Sequence, residues 1–309
     1  MIDSRRLQVL SEVARHGSFN RAAAELRLTP SAVSQQISAL ERSLGTPVVR
    51  RSTRGVALTE AGLVLIDAAQ AITAELRTAQ REIDRLATAR TERLTVATFT
   101  SGGQRLLPPA LTRFTAEHPG VELTVIESEP EDSLPLVRSG AAELALAYHF
   151  TGPPPVVGGD RSGLLWTPIL DDPMWIVLPA GHPLAGAATL GLTDLAGERW
   201  VYGCPGQSDL LEHYAALEGL SVRVACRGTD YQFAQSLVRA GVGISMIPEV
   251  GLSQDRAGLV AVPMRPPGPC RYVGVATPRR RPSPLATALL ATLREVVVAL
   301  PPNPLTTPG

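Results

Sequence analysis

The chain has 309 residues, 44% hydrophobic and 19% charged, with 29 basic and 29 acidic side chains. At roughly 150 residues per domain this length predicts two or three domains, and the ordinary composition excludes collagen, a lone coiled coil and a wholly disordered chain. No apolar run approaches the ~18 residues of a membrane span. The start, MIDSRRLQVLSEV, holds no apolar leader core. Cys204, Cys226 and Cys270 form no CxxC pair, which argues against a disulfide scaffold or zinc ribbon and for a reduced, cytoplasmic setting.

The charge is uneven. Residues 1–60 carry a net +4 and residues 61–309 a net −4. A basic head on an acidic body suits one part to a polyanion and the other to something else.

In the head, Leu7, Val9, Leu10, Val13 and Ala14 recur at helical spacing, and Gly17 ends that helix. Ser18 caps the next helix, whose Ala22, Ala23 and Ala24 let another helix cross closely. Thr29-Pro30 starts a third, Thr as the cap and Pro at the first helical position. Val33, Ile37, Leu40 and Leu44 form its apolar face, while Ser31, Ser34, Gln35, Ser38 and Arg42 face away, and Gly45 closes it. Short, neutral, hydrogen-bonding side chains on one helix suit a reader of base edges in the major groove. The same spacing also suits a plain three-helix bundle with a polar surface. Pro47-Val48-Val49 and Val56-Ala57-Leu58 then read as two strands, with Arg50, Arg51 and Arg54 between them and Gly55 at the turn. An arginine-tipped hairpin beside such helices suits phosphates or the minor groove.

The run FNRAAAELRLTPSAVSQQISALERSLGTPVVRRSTRGVALTEAG resembles the winged helix-turn-helix of LysR-type transcriptional regulators. It follows their AA..L..T.SAVS.QI..LE..LG....R..R.V.LT.AG pattern. It departs at Val48-Val49, where the family usually has Leu-Phe, and at Gln35, often Arg; Gln prefers adenine where Arg prefers guanine. The resemblance implies that Ser18, Thr29, Pro30, Ser31, Ser34, Gln35, Arg50, Arg51 and Arg54 contact double-stranded DNA. It also implies a regulator that works as a homo-oligomer, dimer or tetramer, alongside RNA polymerase, with no cofactor, no metal and no membrane partner.

From Leu58 to Leu86, apolar or small residues recur at alternating spacings of four and three: Leu58, Gly62, Leu65, Ala69, Ile72, Leu76, Ala79, Ile83 and Leu86. This heptad seam, opened by Thr59, predicts one long helix that buries its seam on a partner. The partner is either the same helix of a second subunit, as in the family's linker, or the chain's own C-terminal body. The first option makes Leu65, Ile72, Leu76, Ile83 and Leu86 dimerisation residues. The expected organisation is a winged helix-turn-helix over 1–58, a linker helix over 59–89 and an effector-binding domain over 90–301. Within that domain, lobe I takes 91–166 and 268–301, and lobe II takes 167–267. The tail 302–309 is expected to be disordered.

The body alternates strands and helices. The strands are expected at Leu94–Phe99, Val121–Glu127, Leu144–Tyr148, Met174–Leu178, Arg199–Tyr202, Val222–Cys226, Ile244–Ile247 and Val273–Thr277. Helices are expected at 104–117, 134–139, 207–217, 231–240 and 284–300, and Gly152–Gly163 reads as a loop. That order predicts an α/β fold with a parallel sheet. It is similar to the family's effector domain, a two-lobed fold like type II periplasmic binding proteins, through Glu127–Leu146, Leu178–Ala185 and Leu237–Pro248.

Ligands of open α/β sheets sit beyond the carboxyl ends of strands. Four loops qualify, which makes Thr100, Ser101, Gly102, Glu127, Ser128, Tyr202, Gln207, Asp230 and Tyr231 effector-binding candidates. Glu127 and Asp230 favour a cationic or hydroxylated effector over a dianion. Cys204 lies in one of these loops. The family's redox sensors pair two nearby cysteines, and Cys226 is 22 residues away on an expected strand. No G-x-S-x-G, H-E-x-x-H, P-loop or G-x-G-x-x-G motif occurs, so an enzyme is not expected. The expected function is ligand-responsive control of transcription at a dyad-symmetric promoter site. The rival reading is a small-molecule-binding protein or enzyme whose N-terminal helices only dimerise.

Overall fold

The computed structural model describes residues 2–52, 55–87, 92–150, 163–279 and 282–306. The chain forms two compact units, one built on Met1–Arg90 and the other on Thr91–Val137, Ala142–Gly158 and Leu165–Gly309.

The first unit opens with α1 (Ser4–His16), α2 (Phe19–Glu25) and α3 (Pro30–Leu44). Each begins at a side-chain cap: Asp3, Ser18 and Thr29 accept the N–H of Arg6, Arg21 and Ala32. Leu7, Leu10, Val13, Ala22, Val33, Ile37 and Leu40 bury one shared core, which outweighs the weak helix propensity of its Val and Ile residues. β1 (Val49–Ser52) and β2 (Gly55–Leu58) form an antiparallel hairpin. Its ladder places Arg50 opposite Ala57 and Arg51 opposite Val56. These two arginines are therefore strand residues and not tip residues as expected. Pairing uses backbone groups, so the strand extends past the apolar run that marks it in the sequence. Arg54 lies outside the described residues.

α4 (Glu60–Ala87) follows. The Thr59 hydroxyl accepts the Gly62 N–H at 3.1 Å and donates to the Pro47 carbonyl at 2.8 Å. A Cβ on Gly62 would lie 2.1 Å from the Val48 carbonyl oxygen, so only glycine lets helix and wing meet. The heptad seam divides. Leu65 and Ala69 are buried in the helix-turn-helix core, which corrects Leu65 as a dimerisation residue: the first turns of α4 close the core of their own domain. Further along, Ile72, Leu76 and Ile83 are exposed at 44%, 65% and 57%. The Leu86 side chain lies outside what is described.

The second unit runs β3 (Arg93–Thr98), α5 (Thr100–Arg105), α6 (Leu107–Glu117), β4 (Glu122–Glu127), α7 (Pro130–Arg138) and β5 (Leu144–His149). It continues through β6 (Leu164–Pro179), β7 (Arg199–Tyr202), α8 (Pro205–Leu217), β8 (Arg223–Arg227), α9 (Tyr231–Arg239), β9 (Ser245–Pro248), β10 (Leu259–Pro263), β11 (Cys270–Pro278) and α10 (Pro284–Val298). The helix expected over 104–117 starts at Thr100 and breaks at Leu106, ahead of Pro108. β10 has no counterpart in the sequence reading. Most of the loop expected at 152–163 lies outside the described residues.

The main sheet has the order β10-β6-β11-β5-β3-β4, with β9 also paired to β6. It is mixed and not parallel as expected. β3 lies parallel to β4 and β5, but β11 is antiparallel to β5, and β9 and β10 are antiparallel to β6. β6 is 16 residues long and joins both halves of the sheet, so the divide expected at 166/167 falls inside one strand. Gly274 on β11 makes this passage possible: a Cβ there would lie 2.4 Å from the Trp166 ring of β6. One core packs Leu94, Phe99, Phe114, Leu146, Leu289 and Leu293. A second packs Ile176, Leu178, Trp200, Leu211 and Met246.

The tail corrects another expectation. Residues Pro304–Thr306 form a short 3-10 turn. Asn303 is fully buried and donates to the Leu252 carbonyl at 3.1 Å, and Leu305 is buried beside Val177, Leu252 and Leu259. One apolar residue and one satisfied amide anchor a segment whose composition alone reads as disordered. Residues 307–309 lie outside the described residues.

Candidate DNA-reading face and effector cleft

On α3, Val33, Ile37 and Leu40 are buried, while Thr29, Pro30, Ser31, Gln35 and Ser38 are exposed and Ser34 is half-buried. The Thr29 hydroxyl accepts the Ala32 N–H at 3.2 Å and lies 2.9 Å from the Ser31 hydroxyl. Ser18 is half-buried as the cap of α2, and Arg50 is exposed on β1. Glu41 ties α3 to the wing by accepting the Val48 N–H at 2.9 Å. Arg27, in the turn between α2 and α3, holds a left-handed φ of 55° and is exposed. No spacing signal marks it.

In the second unit, residues from the expected loops converge on one hollow. Phe99, Thr100, Ser101, Gln104, Glu129, Tyr148, Gly203, Cys204, Thr229, Asp230, Tyr231 and Arg271 line it. Thr100, Ser101, Asp230 and Tyr231 are thus brought together as the loop argument requires. Thr100 donates to Glu127 at 2.7 Å, so Glu127 orients the rim without lining it. Asp230 caps α9 through the Phe233 N–H at 2.7 Å. Ser101 is 3% exposed and its hydroxyl has no hydrogen-bond partner; the buried Ser128 hydroxyl, outside the lining, has none either.

Three candidates are support and not lining. Gly102 packs under Phe99 and Leu146, where a Cβ would lie 2.7 Å from the Phe99 ring. The Tyr202 hydroxyl donates to Glu212 at 3.1 Å, and the Arg227 guanidinium lies over its ring. Gln207 is fully buried; its carbonyl accepts the Gly203 N–H at 2.7 Å and its amide donates to the Met246 carbonyl. Gln207 therefore shapes the loop, because a buried amide must satisfy itself on backbone.

The floor holds residues the sequence reading missed. Arg271, 1% exposed on β11, places Nε 2.8 Å from Asp172 of β6, itself fully buried. Asp172 also accepts the Val250 N–H at 2.9 Å. The Arg271 guanidinium lies 4.8 Å from the Phe99 ring centre and 5.0 Å from that of Tyr148, in cation–π contact with both. Burial works against its charge, but the Asp172 carboxylate overrides that and holds its pKa above the ordinary value. Tyr148 donates to Glu129 at 2.6 Å, and burial pushes its phenol far up, so it remains a donor. Cys204 lies 3.1 Å from the Tyr231 hydroxyl; burial raises its thiol pKa although Tyr231 lowers it in part. The available signal was a charged residue inside an apolar strand: Arg271 in CRYVGVAT and Asp172 in LDDPMWIVLP.

A winged helix-turn-helix followed by an α/β unit with a polar cleft defines a ligand-responsive DNA-binding protein. Residues 4–63 match the family described as bacterial regulatory helix-turn-helix protein, lysR family, and residues 87–298 match the LysR substrate binding domain. The chain is 32% identical over 246 residues to the HTH-type transcriptional regulator CfxR of Cupriavidus necator, covering 79% of this chain and 74% of that protein. It is 29% identical over 248 residues to the RuBisCO operon transcriptional regulator of Allochromatium vinosum, covering 80% and 79%. The crystal structure of HinK, a LysR family transcriptional regulator from Pseudomonas aeruginosa, shares the fold at a TM-score of 0.58 and 21% identity, covering 96% of this chain and 99% of that one. The chain belongs to the LysR family: it is a DNA-binding transcriptional regulator with an effector-binding domain, and not an enzyme. Among the described residues no helix is long and apolar enough to cross a membrane.

Proposed function

We propose that the protein reads a dyad-symmetric promoter site with two α3 helices, one from each subunit of a dimer, and that a small molecule in the cleft sets its output to RNA polymerase. The observation that carries this reading is the split seam of α4. Its first turns are consumed by their own domain, while Ile72, Leu76 and Ile83 stay exposed. A row of large apolar side chains on one helix face calls for a partner, and a second copy of the same seam supplies one by heptad packing. Pairing would place two reading faces on half-sites about one helical turn apart. Ser31 and Gln35 would read base edges, with Arg50 on the backbone. Further contacts between effector regions would join two such dimers into a tetramer.

The test is salt-dependent binding of the full chain to DNA selected from a random duplex pool. The selected sites should contain inverted half-sites. The logarithm of affinity should fall with the logarithm of salt at about 0.9 per phosphate contact. Recovery of single, unrepeated sites, or no retention on duplex DNA at low salt, would defeat the reading.

A further inference from the structure

The cleft is charged in two opposite senses, and this restricts what fills it. Arg271 is the cation lining the hollow, and it is buried to 1% exposure. Its Nε and Nη2 both lie against one oxygen of Asp172, at 2.8 Å and 2.6 Å, and Nη2 is outside hydrogen-bond geometry. Asp172 pairs the charge of the guanidinium, and the buried Nη2 N–H is what still lacks a well-aligned acceptor. Ser101, lining the same hollow, has a buried hydroxyl with no partner. Against these donors stand two carboxylates of the lining, Glu129 and Asp230. One oxygen of each is engaged, Glu129 by the Tyr148 hydroxyl and Asp230 by the Phe233 N–H.

A simple anion would satisfy Arg271 and Ser101 but meet two like charges. A simple cation would satisfy the carboxylates but leave the Arg271 Nη2 N–H and the Ser101 hydroxyl without hydrogen-bond partners in a site of low dielectric, where unsatisfied groups are costly. A molecule carrying both charges answers both demands without adding net charge. We propose that the cleft binds a small zwitterion of amino-acid type, its carboxylate towards Arg271 and Ser101 and its ammonium towards Glu129 and Asp230. This rests on the reading of the cleft as the effector site.

The experiment is thermal melting of the full chain with three matched probe sets: the twenty standard amino acids, their deaminated carboxylic acids and their decarboxylated amines. At least one amino acid should raise the melting temperature by about 2 °C or more at millimolar concentration, with its matched acid and amine inactive. Glu129→Gln and Asp230→Asn should each weaken that response at least ~10-fold, since each removes one charge-assisted contact. A matched acid or amine that works as well as the amino acid overturns the proposal. So does silence from all three sets, or a response unchanged in both variants. Thr229→Trp, on the exposed rim of the hollow, separates the two layers of the argument. An acid or amine response that this variant abolishes keeps the cleft and removes the zwitterion. Any response that survives it removes the cleft itself.

Discussion

Asp172→Asn isolates the buried charge pair beneath the cleft. Asn has nearly the same shape and keeps an oxygen for the Val250 N–H, which Asp172 accepts at 2.9 Å. The charge is lost where both partners are at most 1% exposed, so water cannot take its place. Removing one partner of a buried ion pair costs about 3–5 kcal/mol. The rings of Phe99 and Tyr148, 4.8 and 5.0 Å from the guanidinium, hold part of the cation by cation–π attraction. The expected loss is therefore near the lower end, about 3 kcal/mol. All three tryptophans, Trp166, Trp175 and Trp200, lie in the second unit, so tryptophan fluorescence follows its unfolding separately. In urea the midpoint should fall by roughly 1 M for a slope near 3 kcal/mol per M. The double variant Asp172→Leu with Arg271→Met should recover most of the loss, because two apolar groups replace two matched charges. A single variant that loses less than about 1 kcal/mol would mean that water reaches the pair. A double variant as unstable as the single one would mean that Arg271 matters for packing and not for pairing.

Gly62→Ala should unfold the winged helix-turn-helix and abolish DNA binding, since its Cβ would lie 2.1 Å from the Val48 carbonyl; tryptophan fluorescence should show the second unit melting as before, and a variant that still binds DNA would refute the close approach. Gln35→Ala should cost about 1–3 kcal/mol on the selected site and little on random duplex in a gel-shift titration; equal losses on both would remove Gln35 as a reader. Replacing Ile72 and Ile83 together with Asp should give a species of half the mass in sedimentation, with a normal thermal transition, because both side chains are exposed in the subunit. Leu65→Asp should instead unfold the first unit, where Leu65 is buried. Cys204 should alkylate more slowly than the half-exposed Cys226 at pH 8, because burial raises its thiol pKa and leaves less thiolate at any given pH; peptide mapping after iodoacetamide would reveal the reverse order if the cleft were open to water.

The helix-turn-helix was legible because its determinants are local. Asp3, Ser18 and Thr29 cap the helices that follow them directly, and Val33, Ile37 and Leu40 repeat at helical spacing within one turn or two. The strand-to-helix loops of the cleft were legible for the same reason: Thr100, Ser101, Asp230 and Tyr231 sit at chain positions whose role depends on the elements on either side. What escaped depends on partners distant in sequence. Asp172 and Arg271 are 99 residues apart, and each alone reads as a misplaced charge in an apolar strand. The heptad of α4 runs unbroken in sequence, yet Leu65 is claimed by its own domain and Ile72 is not, because only the folded unit decides where the core ends. Leu305 lies in a proline-rich tail with no periodicity, and its burial is set by a pocket built from Val177, Leu252 and Leu259. Spacing along the chain determines which residues share a face. Which faces are covered, and which charges find each other in the dry interior, is determined by the close packing of distant segments, where an unpaired group has no water to turn to.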